Sequence, residues 1–296
     1  MTPVAPVFRH YDRAALDREY NNRGKVPGYS EYLGRWPAQS ERTRAELPTR
    51  LDVRYGSAAG ETLDVFLPPS SRRSSAPIQL FIHGGYWMLL DKRDFSFVAR
   101  AFHDAGVAVV VINYTLLPSV SLDELVRQCR AAIAWTYRNA GTFGGDPTRL
   151  FVSGHSAGGH LTAMAAATDW RAFAGLPADT IKGGCGISGL YDLEPIWLSY
   201  LNDTLRLTPD EAGRNSPILL TPPRSAPLLL PVGSLEGPEY HRQSEAMAAA
   251  WRTRGLTAEV RHLAGQDHFS IVTQLADPRS EVSRLILGQM GLDPLP

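Results

Sequence analysis

A serine flanked by glycines lies in the middle of the chain, in the run Gly-His-Ser-Ala-Gly at residues 154–158. An apolar run precedes it at 150–152, and a helix-compatible stretch follows at 161–167. A strand that turns abruptly into a helix holds such a serine in a strained turn, and the glycines let neighbouring backbone come close. An isolated pattern of this kind is often only a structural turn, but this context predicts that Ser156 is a nucleophile.

A second glycine-containing run, His-Gly-Gly-Tyr-Trp at residues 83–87, follows a short apolar run at 79–82. Adjacent glycines can turn backbone N–H groups toward a developing oxyanion, and such donors are expected in a loop after an early strand. We therefore predict an oxyanion hole formed by Gly84, Gly85 and Ala157. Taken alone, the run fits a glycine turn beside two packed aromatic residues equally well. The order of strand, glycines and then serine turn favours the oxyanion hole.

Several ring-bearing side chains lie within or beside these two turns. Tyr86, Trp87 and His155 are predicted to contact the substrate, because small-molecule pockets are lined mainly by apolar and aromatic groups with a few polar ones. Each of them could equally be a packing residue. His155 and His160 are also expected to maintain the local geometry of the serine turn.

A serine hydroxyl needs a general base to become nucleophilic near neutral pH. Where the nucleophile lies in a strand-to-helix turn, the acid and then the histidine follow it in the chain. His268 meets this requirement because it comes after the apolar run at 259–263. His262 lies inside that strand pattern and His241 in a predicted helix, so surface or packing roles are predicted for both.

The acid that orients the histidine should lie just beyond the predicted strand at 228–232. Glu236 is the predicted acid because it is nearer the strand end than Glu239. Glu239 follows Pro238 and is predicted in the first turn of the next helix, where the helix dipole alone favours a carboxylate. Asp267 is adjacent to His268 in sequence, which makes it a poor orienting partner.

The elements that must position these residues alternate between strand and helix patterns. Residues 51–55 and 62–66 alternate apolar and polar side chains and predict an antiparallel pair joined by the turn 56–60. Short, mostly apolar runs predict buried parallel strands; they are 79–82, 107–113, 150–153, 228–232 and 259–263. Helix patterns are predicted at 91–105, 122–139 and 280–290. This alternation predicts an α/β fold with a mostly parallel central sheet and helices on both faces.

Composition limits the classes of function. The 296 residues are 44% hydrophobic and 20% charged, and 30 basic side chains balance 30 acidic ones. No overall charge therefore favours nucleic acid or an anionic membrane. Without an apolar run typical of a signal peptide or membrane span, the expected location is cytoplasmic. Cys129 and Cys185 are expected to be buried and reduced, and no metal or other cofactor is predicted.

Taken together, these motifs resemble the kynurenine formamidase branch of the α/β-hydrolase superfamily. The resemblance is carried by residues 16–23, 83–87, 154–160, 189–195, 216–217, 237–244 and 267–269. It implies a catalytic triad of Ser156, Glu236 and His268, although the branch usually has an aspartate where Glu236 stands. It also implies one α/β-hydrolase domain over residues 1–296, with residues 1–50 packed near the active site.

The resemblance implies hydrolysis of a small acyl amide or ester through an acyl-enzyme. An aryl formamide such as N-formylkynurenine is the leading substrate class, and a broad small-acyl carboxylesterase is the alternative. A catalytically silent α/β-hydrolase that only binds a ligand is a more distant alternative, which the complete triad argues against. The expected partner is a small molecule rather than nucleic acid or a membrane, and a homodimer is left open.

Overall fold

The computed structural model describes residues 5–70, 75–222, 224 and 226–292. The strands in chain order are β1 (Thr49–Arg54), β2 (Thr62–Phe66), β3 (Ala76–Ile82), β4 (Ala108–Ile112), β5 (Gly145–His155), β6 (Gly183–Ile187), β7 (Leu228–Gly233) and β8 (Ala258–Leu263). Within the described ranges they form one eight-stranded sheet in the order β1-β2-β4-β3-β5-β6-β7-β8. Pairs β1–β2 and β2–β4 are antiparallel, and the other neighbours are parallel. The predicted mostly parallel sheet is confirmed.

The helices surround this sheet. In chain order they are α1 (Arg13–Tyr20), α2 (Asn22–Lys25), α3 (Tyr29–Glu46), α4 (Ala99–Asp104), α5 (Leu122–Asn139), α6 (Ala157–Ala166), α7 (Trp170–Ala174), α8 (Glu194–Trp197), α9 (Asn202–Leu205), α10 (Pro209–Arg214), α11 (Pro238–Arg252), α12 (Ser270–Thr273) and α13 (Glu281–Gln289). In the part of the chain that is described, none of these helices combines the length and apolar character needed to cross a membrane.

The side chains of β4 show why helices cover both faces. Successive residues of a strand point to opposite faces. Val110 and Ile112 join the core that includes residues of α5 and α6, whereas Val109 and Val111 join a second core with residues of α3, α4 and α13. Every residue of β4 is buried. A strand apolar on both faces therefore requires a helical layer on each side.

Helix α5 has the bounds that its sequence pattern predicts. Its N-cap Ser121 accepts a hydrogen bond from the backbone N–H of Glu124 (3.2 Å), which satisfies one of the free donors of the first turn. The buried face includes Leu125, Cys129 and Ile133. The helix is amphipathic, and this face packs toward the sheet.

Two predictions from the sequence differ from the structure. The predicted helix 91–105 is divided into the 3₁₀ turns Lys92–Asp94 and Ser96–Val98, followed by α4. Phe95 and Phe97 both pack against Trp36 of α3, at ring-centroid distances of 5.3 and 6.4 Å, so tertiary packing replaces a continuous helix. Strand β6 was missed because its sequence, Gly-Gly-Cys-Gly-Ile, lacks the apolar or β-branched run that predicts a strand.

Candidate active site

Ser156 lies in the turn between β5 and α6. Its φ and ψ are 57° and −117°, a conformation that residues with a Cβ rarely adopt and that the surroundings must enforce. A Cβ on Gly154 would run into the carbonyl oxygen of Gly158, and a Cβ on Gly158 into that of Ile82. Ser156 N–H also donates to the Ile187 carbonyl of β6 (2.8 Å). The turn therefore depends on both glycines and on the neighbouring strand.

His268 and Glu236 lie in the loops that follow β8 and β7. His268 Nδ1 is 2.7 Å from Glu236 Oε2, and their side chains are only 8% and 1% exposed. The other oxygen of Glu236 accepts the backbone N–H of Gly233 (2.8 Å) and the hydroxyl of Ser188. These hydrogen bonds stabilise a buried carboxylate and fix its orientation toward the imidazole.

Two rings enclose the imidazole of His268. His155 and Tyr240 each lie 4.7 Å from it between ring centroids. His155 Nε2 donates to the backbone carbonyl of His268 (2.8 Å). Burial, followed by repulsion from His268, holds the pKa of His155 well below the ordinary histidine value. His155 is therefore neutral near pH 7 and adds no competing charge beside His268.

The loop after β3 has an unusual backbone. Gly85 has a φ of 103°, and Tyr86 and Trp87 follow with positive φ values of 49° and 59°. Large residues rarely adopt a positive φ, so this turn must be held by its surroundings. Such strain is common where a loop presents its backbone to a ligand.

Hydrogen bonds around His83 fix the direction of the following peptide groups. His83 Nδ1 donates to the carbonyl of Gly84 (2.8 Å). In a trans peptide group the carbonyl and the following N–H point in opposite directions, so the N–H of Gly85 points away from the His83 ring. Among the described residues, the backbone N–H groups of Gly84, Gly85 and Ala157 have no acceptor. Gly84 lies directly against the serine turn, since a Cβ there would be 3.1 Å from Ser156 Cβ. Three free donors therefore lie around Ser156.

A cavity of about 200 Å³ opens beside the serine turn and the loop after β3. Its lining contains Ser156 and His268, and most of the remaining side chains are apolar or aromatic. The lining residues are Asn21, Asn22, Arg23, Leu33, Trp36, Gly85, Tyr86, Met88, Leu89, Leu90, His155, Ser156, Tyr200, Leu201, His268 and Phe269. Five of them belong to the N-terminal segment 1–50, ahead of the first strand.

The structure does not bring Trp87 to this cavity. Trp87 is fully buried, and its indole N–H donates to His160 Nδ1 (3.1 Å). His160 Nε2 in turn donates to the Asn215 carbonyl (2.7 Å), and burial lowers the pKa of His160 to about 4. Trp87 and His160 thus support the loop and the serine turn from within the core, whereas Tyr86 and His155 line the cavity.

The other candidate bases and acids lie elsewhere. His262 is paired with the exposed Glu245 and stacks on His241 at 5.2 Å, so both histidines belong to the surface. Asp267 accepts the backbone N–H groups of Phe269 and Ser270 (2.7 and 2.8 Å) and so caps the turn after His268.

Glu239 lies in the first turn of α11 as predicted, but the helix dipole is not its only partner. Its side chain is 1% exposed and forms an ion pair with Arg242 (2.8 Å). It also accepts the hydroxyl proton of Tyr20 (2.9 Å). The sequence could not indicate this burial, because Tyr20 is 219 positions away.

A hydrogen-bonded cluster that sequence reasoning missed joins the N-terminal segment to the catalytic loops. Asn22 Nδ2 donates to the hydroxyls of Tyr240 (2.7 Å) and Tyr86 (3.1 Å). Tyr86 donates to the backbone carbonyl of Tyr20 (2.6 Å). Because Tyr240 also packs on His268, the cluster links the cavity wall to the candidate base.

Ser188 is another missed residue. It follows β6, has a φ of 50°, and its hydroxyl donates to Glu236. The only available signal was its place after a strand beside the serine turn, and that strand was itself missed.

Comparisons with known proteins find relatives in both sequence and structure. Residues 63–179 match the protein-family model BD-FAE. Over 257 residues the chain is 36% identical to the kynurenine formamidase of Danio rerio, and the alignment covers 85% of each chain. A candidate thioesterase from Silicibacter sp. tm1040 has a similar structure, with a TM-score of 0.79 and 30% identity, covering 92% of this chain and 98% of that one.

A thermophilic carboxylesterase cloned from a metagenomic library is also similar in structure. Its TM-score is 0.68 at 21% identity, and the superposition covers 90% of this chain and 99% of that one. At this level of identity the similarity concerns the fold alone.

Proposed function

This chain belongs to the kynurenine formamidase family of the α/β-hydrolases, and on that premise we propose that it hydrolyses a small aryl formamide through a covalent acyl-enzyme. Ser156 is the proposed nucleophile, His268 the base and Glu236 the orienting acid. One observation carries the assignment. Ser156 and His268 line the same cavity, and Glu236 holds the far side of the imidazole at 2.7 Å.

In the proposed acylation step, Ser156 Oγ attacks the formyl carbon while its proton passes to Nε2 of His268. Glu236 accepts the hydrogen bond from Nδ1 and stabilises the imidazolium that forms. The negative charge on the formyl oxygen is stabilised by the backbone N–H groups of Gly84, Gly85 and Ala157. Collapse of the tetrahedral intermediate breaks the C–N bond, and His268 returns the proton to the departing arylamine nitrogen.

In the proposed deacylation step, a water molecule attacks the formyl-serine ester and gives a proton to His268. Collapse of this second intermediate breaks the bond between the formyl carbon and Ser156 Oγ. His268 returns the proton to Oγ, and formic acid leaves and ionises to formate in solution. The serine and the histidine thus end each cycle in their starting protonation states.

The cavity supports a small, partly aromatic substrate. Its volume of about 200 Å³ is below the range of roughly 300–1,000 Å³ that drug-sized ligands occupy. Trp36, Tyr86 and Phe269 supply flat apolar surface suited to an aryl group. The proposal also treats residues 1–50 as part of one catalytic domain, which their contribution to the cavity wall supports.

A carboxylesterase acting on small acyl groups is the second candidate. The side chains of Leu33, Met88, Leu89 and Leu90 in the cavity wall favour it, because they could accept a short acyl chain as readily as an aryl ring. Both candidates use the same acyl-enzyme chemistry and differ in the leaving group.

The test compares substrates on one purified enzyme. We expect N-formylkynurenine to be hydrolysed with a kcat/KM of about 10⁴ M⁻¹s⁻¹ or more, and p-nitrophenyl esters to be hydrolysed less well as the acyl chain lengthens. Rapid hydrolysis of butyrate or longer esters with no hydrolysis of the formamide would assign the esterase instead. The Ser156→Ala protein serves as the control for contaminating hydrolases.

A further inference from the structure

One cation lines the cavity without a carboxylate partner. Arg23 is exposed on α2. In the described part of the chain its guanidinium forms no ion pair and donates no hydrogen bond. The guanidinium lies over Tyr29, whose ring centroid is 5.8 Å from Arg23 Cζ. All five of its N–H donors are therefore available to a ligand.

The acidic side chains nearest to this arginine in sequence, Asp17 and Glu19, have other partners. Asp17 pairs with Arg13 (3.0 Å) and accepts the backbone N–H of Tyr200 (2.7 Å). Glu19 pairs with Lys25 (2.9 Å). No aspartate or glutamate is among the described residues that line the cavity. Arg23 therefore gives the cavity a positive potential that no neighbouring lining residue neutralises.

The position of the guanidinium is coupled to the candidate base through two rings. Arg23 lies over Tyr29, and Tyr29 packs against Phe269 with 5.9 Å between ring centroids. Phe269 follows His268 in the sequence, and both residues line the cavity. An arginine held against an aromatic face loses less conformational freedom when its planar group binds an anion.

We propose that Arg23 is a specificity residue that binds a carboxylate carried by the substrate away from the scissile acyl group. A planar guanidinium matches a carboxylate with two parallel hydrogen bonds. The enzyme should then prefer anionic aryl formamides or aryl esters to their neutral isosteres. The inference rests on the proposed function to the extent that the cavity is taken as the substrate site.

The experiment compares two matched substrate pairs that differ only in charge. The formamide pair is 4-formamidobenzoate and 4-formamidobenzamide, and the ester pair is 4-acetoxybenzoate and 4-acetoxybenzamide. In Arg23→Gln we expect kcat/KM to fall by about tenfold for each anion, mainly through KM, because the lost interaction is charge-assisted but exposed to solvent. For the neutral isosteres, kcat/KM should change by less than about twofold in Arg23→Gln. In the wild type, added salt should weaken the preference for the anions.

Arg35→Gln is the matched control. Arg35 is also an exposed arginine of the N-terminal segment above a tyrosine ring, 5.0 Å from that of Tyr32. It is paired with Glu31 and is not among the lining residues of the cavity. This variant should leave the ratio of anionic to neutral kcat/KM unchanged, whereas Arg23→Glu should invert the preference.

Different results separate the two proposals. If only the esters are hydrolysed, the formamidase assignment fails, and the ester pair still decides the role of Arg23. Equal losses for anions and isosteres in Arg23→Gln, or no loss, would overturn the role of Arg23 alone. If neither pair is hydrolysed, ligand binding measured by calorimetry tests the role of Arg23. The wild type must then bind 4-aminobenzoate more tightly than 4-aminobenzamide, and Arg23→Gln must bind the two equally.

Discussion

The cavity has two walls that are held by different kinds of contact. The elbow wall, formed by Gly85, His155 and Ser156, is fixed by strand pairing, close backbone packing and positive φ values. The N-terminal wall, formed by Asn21, Asn22, Arg23, Leu33 and Trp36, depends on side-chain hydrogen bonds to residues over 200 positions away. Backbone constraints leave local motifs in a sequence, whereas long-range side-chain contacts do not.

This difference leads to different expectations for mutations. Changes at the reacting groups beside the elbow wall should reduce turnover while the fold remains, because the backbone that positions them is held by the sheet. Changes in the contacts that attach the N-terminal wall should reduce stability or substrate selectivity with the chemistry intact.

The largest effect is expected at the nucleophile. Ser156→Ala should lower kcat by roughly 10⁵- to 10⁶-fold, because the covalent route is lost and only the oxyanion donors and binding remain. Thermal unfolding should be nearly unchanged. Active-site titration and steady-state kinetics measure this effect. His268→Ala should be almost as damaging, with His262→Ala as its matched control; an inactive His262→Ala protein would show that the base has been misplaced.

Glu236→Gln should lower kcat by about 10⁴-fold, because an amide at this position can hold the wrong tautomer of His268 and cannot stabilise the imidazolium. Glu236→Asp should fall between this variant and the wild type, since it keeps the charge but withdraws it by one methylene. Rate measurements on all three proteins at equal folded concentration test this order. If Glu236→Gln retained full activity, Glu236 would not be the acid of the triad.

At Glu239 the expected effect is on stability rather than rate. Glu239→Gln should reduce the free energy of unfolding by about 2 kcal/mol, because the partly buried Arg242 loses its closest carboxylate and keeps an ion pair only with Asp192 among the described residues. Urea denaturation measures the change. Glu245→Gln on the same helix is the control, with an expected loss below about 0.5 kcal/mol for an exposed pair. An inactive but stable Glu239→Gln protein would transfer the role of the acid to Glu239.

The last effect concerns pH and helix α6, which follows the elbow wall, and it appears only as the pH falls. Burial lowers the pKa of His160 to about 4, so between about pH 6.5 and 4 the unfolded chain binds more protons than the folded one. Stability should therefore fall as pH falls through this window, and His160 should account for about 2 kcal/mol between pH 7 and 5.

His160→Gln removes this titration while keeping a donor and an acceptor for its two partners. Its stability loss between pH 7 and 5, measured by urea denaturation, should be smaller than that of the wild type. The lowered pKa values of His83 and His155 contribute with the same sign and remain in the variant. Equal pH slopes for the two proteins would contradict the role given to His160.

The sequence predicted the elements whose causes are local. Runs of β-branched residues marked β4, capping and amphipathic spacing marked α5, and the glycines marked the serine turn. It did not predict β6, because the glycines there meet a requirement for space: a Cβ on Gly184 would lie 2.6 Å from Leu228 Cδ2. That requirement exists only once the neighbouring strand is in place.

In the candidate site, too, the features missed from the sequence depend on contacts between distant segments. The carboxylate of Glu236 could be placed from its distance to a predicted strand end, but Ser188 could not, because its strand was missed. The setting of Glu239 and the hydrogen bonds of Asn22 depend on pairing between the first helices and α11. Such contacts between distant segments have no local signature.

The residues of this site are far apart in sequence, and this affects when activity can arise during synthesis. A ribosome releases the chain from its N-terminus, and segments can fold only after they emerge. Ser156 therefore emerges before Glu236 and His268, and it has no base until the segment after β8 follows. Leu16 and Tyr20 are fully buried in the folded protein, but their apolar surfaces stay exposed to solvent until α11 has emerged. Until α11 and the segment after β8 emerge, a nascent chain thus carries an inert serine and an undocked N-terminal segment.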